Sequence, residues 1–199
     1  VKNGAKIVWS DIDISTRVVT AETITPCITN STRAVVVPHL YGYGVDMAAI
    51  MTLAEARGFL VIEDAAQALG VMINGHKAGV YGDFGIFSFH AQKNITTLGE
   101  GGMLIVRDPK KAEIVPMLRH NGHRPYPPNR LDYWIPAMGD VDLPALNGET
   151  LWPGNYCIGE VECALGAKLI DRIDEINMQK RQRALHVIDK LSEYSDIIS

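Results

Sequence analysis

The chain has 199 residues, with 19 Lys and Arg against 23 Asp and Glu, a net charge of −4 and a pI of about 5.9. A hydrophobic share of 47% is enough for a sizeable core, and the mild acidity argues against a nucleic-acid-binding protein, which carries a basic stripe. No run approaches the roughly 18–20 apolar residues of a membrane helix, and the start, Val1-Lys2-Asn3-Gly4-Ala5, carries no apolar signal region.

In chain order, Lys6-Ile7-Val8-Trp9 reads as a first strand. Ala34-Val35-Val36-Val37 is a second, apolar at every residue, as a strand buried on both faces should be. Tyr41-Gly42-Tyr43-Gly44 reads as a strand-to-helix turn and not a dinucleotide loop, because GxGxxG is missing. Asp46 is placed to cap a helix whose apolar side is Met47, Ile50, Leu53 and Ala54 and which stops at Gly58. Phe59–Ile62 is the next strand, closed by Glu63-Asp64, and Phe84–Phe89 and Met103–Val106 follow as strands. Strand, helix, strand in this order predicts an α/β fold with a mainly parallel sheet flanked by helices.

The middle behaves differently. Residues 121–155 hold Pro125, Pro127, Pro128, Pro136, Pro144 and Pro153, with Tyr126, Tyr133, Trp134 and Trp152 among them. So long a stretch without periodicity reads as a functional or interface loop. From Ile158 the pattern turns helical, with Val161, Leu165, Leu169, Ile173 and Ile176 spaced by three and four, and the Lys180–Arg183 cluster reads as a solvated helix face. The three cysteines, Cys27, Cys157 and Cys163, are odd in number and form no CxxC, which fits a reducing cytoplasm. Cys157 and Cys163 read as small buried apolar residues. His120 and His123 have HxxH spacing, but with no third ligand cluster no metal is assigned.

Open α/β sheets bind ligands at the carboxyl ends of their strands. Asp64 ends one strand, Ser88 lies near the end of another, and Lys93 follows just before Gly99-Glu100-Gly101-Gly102. Singly, each has a structural explanation: an Asp after a strand caps a helix, an isolated Lys is solvated, and glycines permit a tight reversal.

Together they carry more. The strings HLYG (His39–Gly42), Asp46-Met47 with the helix behind it, IEDAAQALG (Ile62–Gly70), GDFGIFSFHAQKN (Gly82–Asn94) and GEGGM (Gly99–Met103) resemble the DegT/DnrJ/EryC1/StrS sugar aminotransferases. These are fold-type-I enzymes dependent on pyridoxal 5'-phosphate (PLP). A weaker match is GNY (Gly154–Tyr156), followed by a helix containing Ala164-Leu165-Gly166. The resemblance implies a PLP-dependent transfer of an amino group, from glutamate, to a nucleotide-linked keto sugar. It makes Lys93 the Schiff-base lysine and proton carrier, and Asp64 the partner of the pyridine nitrogen. Gln67 would sit beside the phenolic oxygen, Ala66 against the ring face, and Ser88 on the phosphate. Asn155 occupies the position of an Asn that reaches the phosphate from the neighbouring subunit of a homodimer.

Two departures concern the substrate side. Asn155-Tyr156 is followed by Cys157-Ile158 where the family continues Arg-Met, and the loop before it is longer and richer in proline. Family members are longer, with an N-terminal phosphate-contacting segment and a C-terminal small domain. The expectation is therefore that residues 1–199 are a single, partial large domain. The alternatives are a PLP-dependent sugar dehydratase, against which Lys93 argues because those enzymes carry histidine there, and a non-catalytic or regulatory protein of the same fold.

Overall fold

The structure, a computed structural model, describes residues 4–123, 143–192 and 194. Tyr126, Tyr133 and Trp134 of the proline-rich loop lie outside the described residues. The chain forms two compact units, one from Val1–Leu104 and Glu160–Ser199, the other from Ile105–Gly159.

In the first unit a short helix α1 (Ala21–Ile24), capped by Thr20, precedes β1 (Ala34–Pro38). A one-turn 3₁₀ segment at Leu40–Gly42 then leads into α2 (Met47–Arg57). Asp46 Oδ1 accepts the N–H groups of Ala48 and Ala49, satisfying donors that a helix start leaves unpaired, and Gly58 ends the helix in the left-handed conformation. Met47, Ile50 and Ala54 are buried, as the spacing predicts. β2 (Leu60–Asp64) follows, then a small hairpin of β3 (Met72–Ile73) and β4 (His76–Lys77), then β5 (Phe84–Ser88) and β6 (Gly102–Val106). The main sheet has the order β1-β2-β5-β6, and β1, β2 and β5 run parallel.

One face of that sheet is packed and the other is open. Val37, Val61, Glu63, Gly85 and Phe87 share the buried face through the registers Val37↔Glu63 and Glu63↔Gly85. Val36 is 57% exposed and Ile86 41% exposed on the other. The expectation that the Ala34–Val37 strand is buried on both faces is thus corrected. Successive residues point to opposite faces, and among the described residues only one face is covered. Lys6–Trp9 is corrected as well: it joins no ladder among the described residues, and Trp9 is 84% exposed. Apolar composition alone does not make a strand without a partner to pair with.

The unit ends in α4 (Glu160–Ile170) and the 20-residue α5 (Ile173–Ser192). The apolar periodicity runs through both, but the chain breaks at Asp171–Arg172, where the Arg172 N–H bonds to Leu169 O in a tighter turn. Gly166 is the buried point of α4: a Cβ there would lie 2.9 Å from Thr97 Cγ2, so a larger residue would have to displace that side chain. Cys163 is exposed on α4, contrary to the expectation, because the covered stripe of the helix runs through Glu162, Leu165, Gly166 and Leu169 and leaves Cys163 beyond its edge. No described helix is long and apolar enough to cross a membrane.

The second unit holds α3 (Pro109–Arg119), capped by Asp108, and a hairpin of β7 (Ala145–Leu146) and β8 (Glu149–Thr150). Cys157 is exposed here with its Sγ toward Arg119 O, in irregular chain where no element covers it.

Candidate active site

The buried face of β2 carries an acidic residue that nothing in the sequence pattern singled out. Glu63 is fully buried and accepts four hydrogen bonds. They come from His39 Nε2 at 3.0 Å, Gly79 N–H at 2.8 Å, and the Tyr81 and Gly82 N–H groups at 2.5 Å each. His39 Nδ1 accepts from Val45 N–H at 3.2 Å, which leaves Nε2 protonated to donate to Glu63. Burial pushes the Glu63 carboxyl up, but the His39, Gly82 and Gly79 hydrogen bonds and the attraction of His39 outweigh it and hold the group below its ordinary value. Gly85 allows this arrangement, since a Cβ there would lie 1.9 Å from the Gly79 carbonyl oxygen.

His39 also reaches the next residue along β2, its backbone N–H donating to Asp64 O at 3.0 Å. Asp64 pairs in register with Ile86, two residues before Ser88, so Asp64 and Ser88 share the open face at the carboxyl ends of their strands. Asp64 Oδ1 accepts the Ala66 N–H at 3.1 Å.

Beside these strand ends lies a cavity of about 380 Å³ lined by Tyr41, Ala66, Gln67, Leu69, Ser88, Gln92, Lys93 and Asn94. It brings together four of the six residues expected from the sequence: Ala66, Gln67, Ser88 and Lys93. Asp64 borders Ala65-Ala66 but is not among the lining residues. Asn155 lies in the second unit, where it bridges to His120 and its Oδ1 accepts the Cys157 N–H at 3.4 Å.

Each lining group is held in place by its own local structure. Gln67 Oε1 accepts the Tyr41 N–H at 2.8 Å, and Tyr41 takes a left-handed backbone (φ 55°) that aims the N–H there. Ser88 Oγ accepts the His90 N–H at 3.3 Å, so its own hydroxyl proton is left to donate. The turn that carries Lys93 is organised by His90, whose carbonyl accepts the Lys93 N–H at 2.9 Å and whose Nδ1 accepts the Gln92 N–H at 3.2 Å. The loop is closed at its base by Phe89 N–H to Gly101 O, Ala91 N–H to Gly99 O and Thr97 N–H to Phe89 O. Thr97 is buried and meets Gly166 of α4. Gly99, at φ +120°, makes the reversal that an L side chain would resist.

Chemically the set is an amine, a hydroxyl with a proton to give and, at the neighbouring strand end, a carboxylate. It suits a small ligand that carries an anionic group, an amine-reactive carbon and a basic nitrogen. Among the described residues no group of three His, Cys, Asp or Glu is arranged to hold a metal.

Residues 1–198 match the DegT/DnrJ/EryC1/StrS aminotransferase family. The chain is 36% identical over 182 residues to a GDP-perosamine synthase of Caulobacter vibrioides, covering 92% of this chain and 44% of that protein. Its fold is similar to the X-ray structure of an aminotransferase from Psychrobacter cryohalolentis, at a TM-score of 0.80 and 29% identity over 97% of this chain and 47% of that one. It is similar also to a GDP-4-keto-6-deoxymannose-3-dehydratase crystallised with a trapped PLP-glutamate geminal diamine, at a TM-score of 0.71 and 25% identity, covering 92% of this chain and 47% of that one. The chain therefore spans less than half the length of these relatives.

Proposed function

From the premise that this chain belongs to the DegT/DnrJ/EryC1/StrS aminotransferase family, we propose that its protein is a PLP-dependent aminotransferase. It moves an amino group from glutamate to a nucleotide-linked keto sugar, as a cytoplasmic homodimer. The observation that carries the reading is the cavity lined by Lys93, Ser88 and Gln67, beside the strand end that bears Asp64.

The residues fit the cofactor. With PLP bound, the site gains an aldehyde carbon that takes up amines and a ring that withdraws electrons when its nitrogen is protonated. Lys93 is the residue that would hold that carbon through its side-chain amine. Its amine would also be the group to carry a proton to and from the donor carbon, and the loop at Gln92–Asn94 would keep it in reach. Asp64 would hold the proton at the ring nitrogen, and its backbone carbonyl is fixed by the His39 backbone N–H. Ser88 donates its hydroxyl proton to the phosphate. Gln67, with its carbonyl oxygen already engaged by Tyr41 N–H, has its amide N–H₂ left to donate to the phenolic oxygen. Ala66 offers a small apolar contact to the ring.

The test is product formation. Full-length protein with PLP and glutamate is given a panel of nucleotide-linked keto sugars, and mass spectrometry looks for the amino sugar together with 2-oxoglutarate. Loss of the hydroxyl beside the ketone without amine transfer would instead assign a dehydratase, the activity named for one of the structural relatives.

A further inference from the structure

We propose that Asn177 is a positioning residue for the Lys93 site, its carboxamide setting the two walls of the cavity against each other; this rests on the PLP reading above. The walls are distant in sequence. Ala66, Gln67 and Leu69 follow β2, whereas Gln92, Lys93 and Asn94 belong to the loop after β5. Asn177 on α5 reaches both: its Oδ1 accepts from Asn94 Nδ2 at 2.8 Å, and its Nδ2 donates to the Leu69 carbonyl at 2.9 Å. A carboxamide supplies one acceptor and one donor end, and here the two ends serve opposite walls. Neither a carboxylate nor an apolar side chain of this size does both.

The approach of α5 is built into the sequence around it. Gly70 has φ +86°, and a Cβ at that position would lie 2.7 Å from Asn177 Nδ2. Lys180, on the same side of α5, adds a second grip, with Nζ 3.2 Å from the Asn94 carbonyl oxygen and 3.4 Å from its Oδ1. The residue bonded directly to Lys93 is thus held by its carbonyl and by its side chain, both from one helix. Asn177 and Lys180 do not line the cavity, so they act on Lys93 through Asn94 and on the Gln67 wall through Leu69.

The experiment titrates full-length wild type, Asn94→Ala, Asn177→Leu, Lys180→Met and the Asn94→Ala/Asn177→Leu double variant with PLP itself. Tryptophan quenching gives affinity, the visible absorbance of the bound form is followed against pH, and circular dichroism checks the fold. Folded Asn177→Leu is expected to bind PLP about tenfold more weakly, the scale of losing two hydrogen bonds, and to shift the pH midpoint of the absorbance. The exposed Lys180→Met change should weaken binding about two- to threefold in the same direction. The double variant should be no weaker than the worse single change, as for residues on one path. Wild-type affinity and midpoint in folded Asn177→Leu overturn the inference. If that variant does not fold, Asn177→Asp takes its place, keeping the acceptor for Asn94 and losing the donor to Leu69, and wild-type values there overturn the inference. Failure of the wild type to bind PLP fells the functional reading and this inference together, whereas tight wild-type binding with indifferent variants fells this inference alone.

Discussion

His39 and Glu63 meet at 3.0 Å, Nε2 to Oε2, with both side chains fully buried. The pair joins the ends of β1 and β2, and the 79–82 segment closes around the same carboxylate. The His39 backbone N–H also donates to the Asp64 carbonyl, so the buried pair sits next to the strand end that bears a candidate catalytic carboxylate.

Glu63→Gln is expected to destabilise the fold by about 3 kcal/mol, because an amide nitrogen then faces N–H donors that the carboxylate satisfied. The pH dependence follows from a folded-state value held below the ordinary 4.5. Below that pH the unfolded chain takes up a proton that the folded chain resists, so this contribution is complete above about 4.5 and is lost as pH falls through the lowered folded value. Denaturant unfolding of wild type between pH 7 and pH 3 should show the loss, and Glu63→Gln should have a shallower acid limb. An equal acid limb in the variant would contradict the assignment.

Gly85→Ala should prevent the native packing of β5, since the added carbon would sit 1.9 Å from a backbone oxygen that cannot rotate away. We expect insoluble protein, or a loss of more than about 3 kcal/mol. Soluble Gly85→Ala with a wild-type melting temperature would show that the 79–82 segment is placed otherwise.

Asp64→Asn retains size and removes the charge that keeps a ring nitrogen protonated. Single-turnover absorbance changes with glutamate should slow by about a hundredfold or more. PLP affinity should fall by about 1.5–3 kcal/mol, the scale of a charge-assisted hydrogen bond. Near-normal half-reactions in Asp64→Asn would remove the role.

In the proposed homodimer, Asn155 would serve the site of the neighbouring subunit. Lys93→Ala and Asn155→Ala subunits, each impaired alone, should regain activity when mixed, since one site of each mixed dimer then keeps both groups. Absence of recovery in verified mixed dimers would assign Asn155 to its own subunit.

Much of the first unit is legible in the chain because its signals are local. Asp46 and Gly58 bracket α2 by side-chain capping and a left-handed stop, and the apolar runs of β1, β2, β5 and β6 end within a residue or two of the expected places. Ala66, Gln67, Ser88 and Lys93, which the local motifs pick out, line one cavity. What escapes is long-range or contrary to propensity. The His39–Glu63 pair joins two residues whose partnership only the parallel pairing of β1 and β2 creates. The helix α3 contains Pro116, which interrupts the helical ladder and masks the Asp108-Pro109 start signal. Lys180, read as solvated, spends its charge on Asn94, a contact spanning 86 residues that no helical-wheel argument supplies.

The central claim is that Lys93 holds the cofactor covalently. The most direct measurement is borohydride reduction of the PLP-loaded full-length protein, followed by peptide mass spectrometry. The account predicts one pyridoxyl-phosphate adduct, on Lys93, and none in Lys93→Ala. An adduct on another lysine, or undiminished transamination by Lys93→Ala, would contradict it.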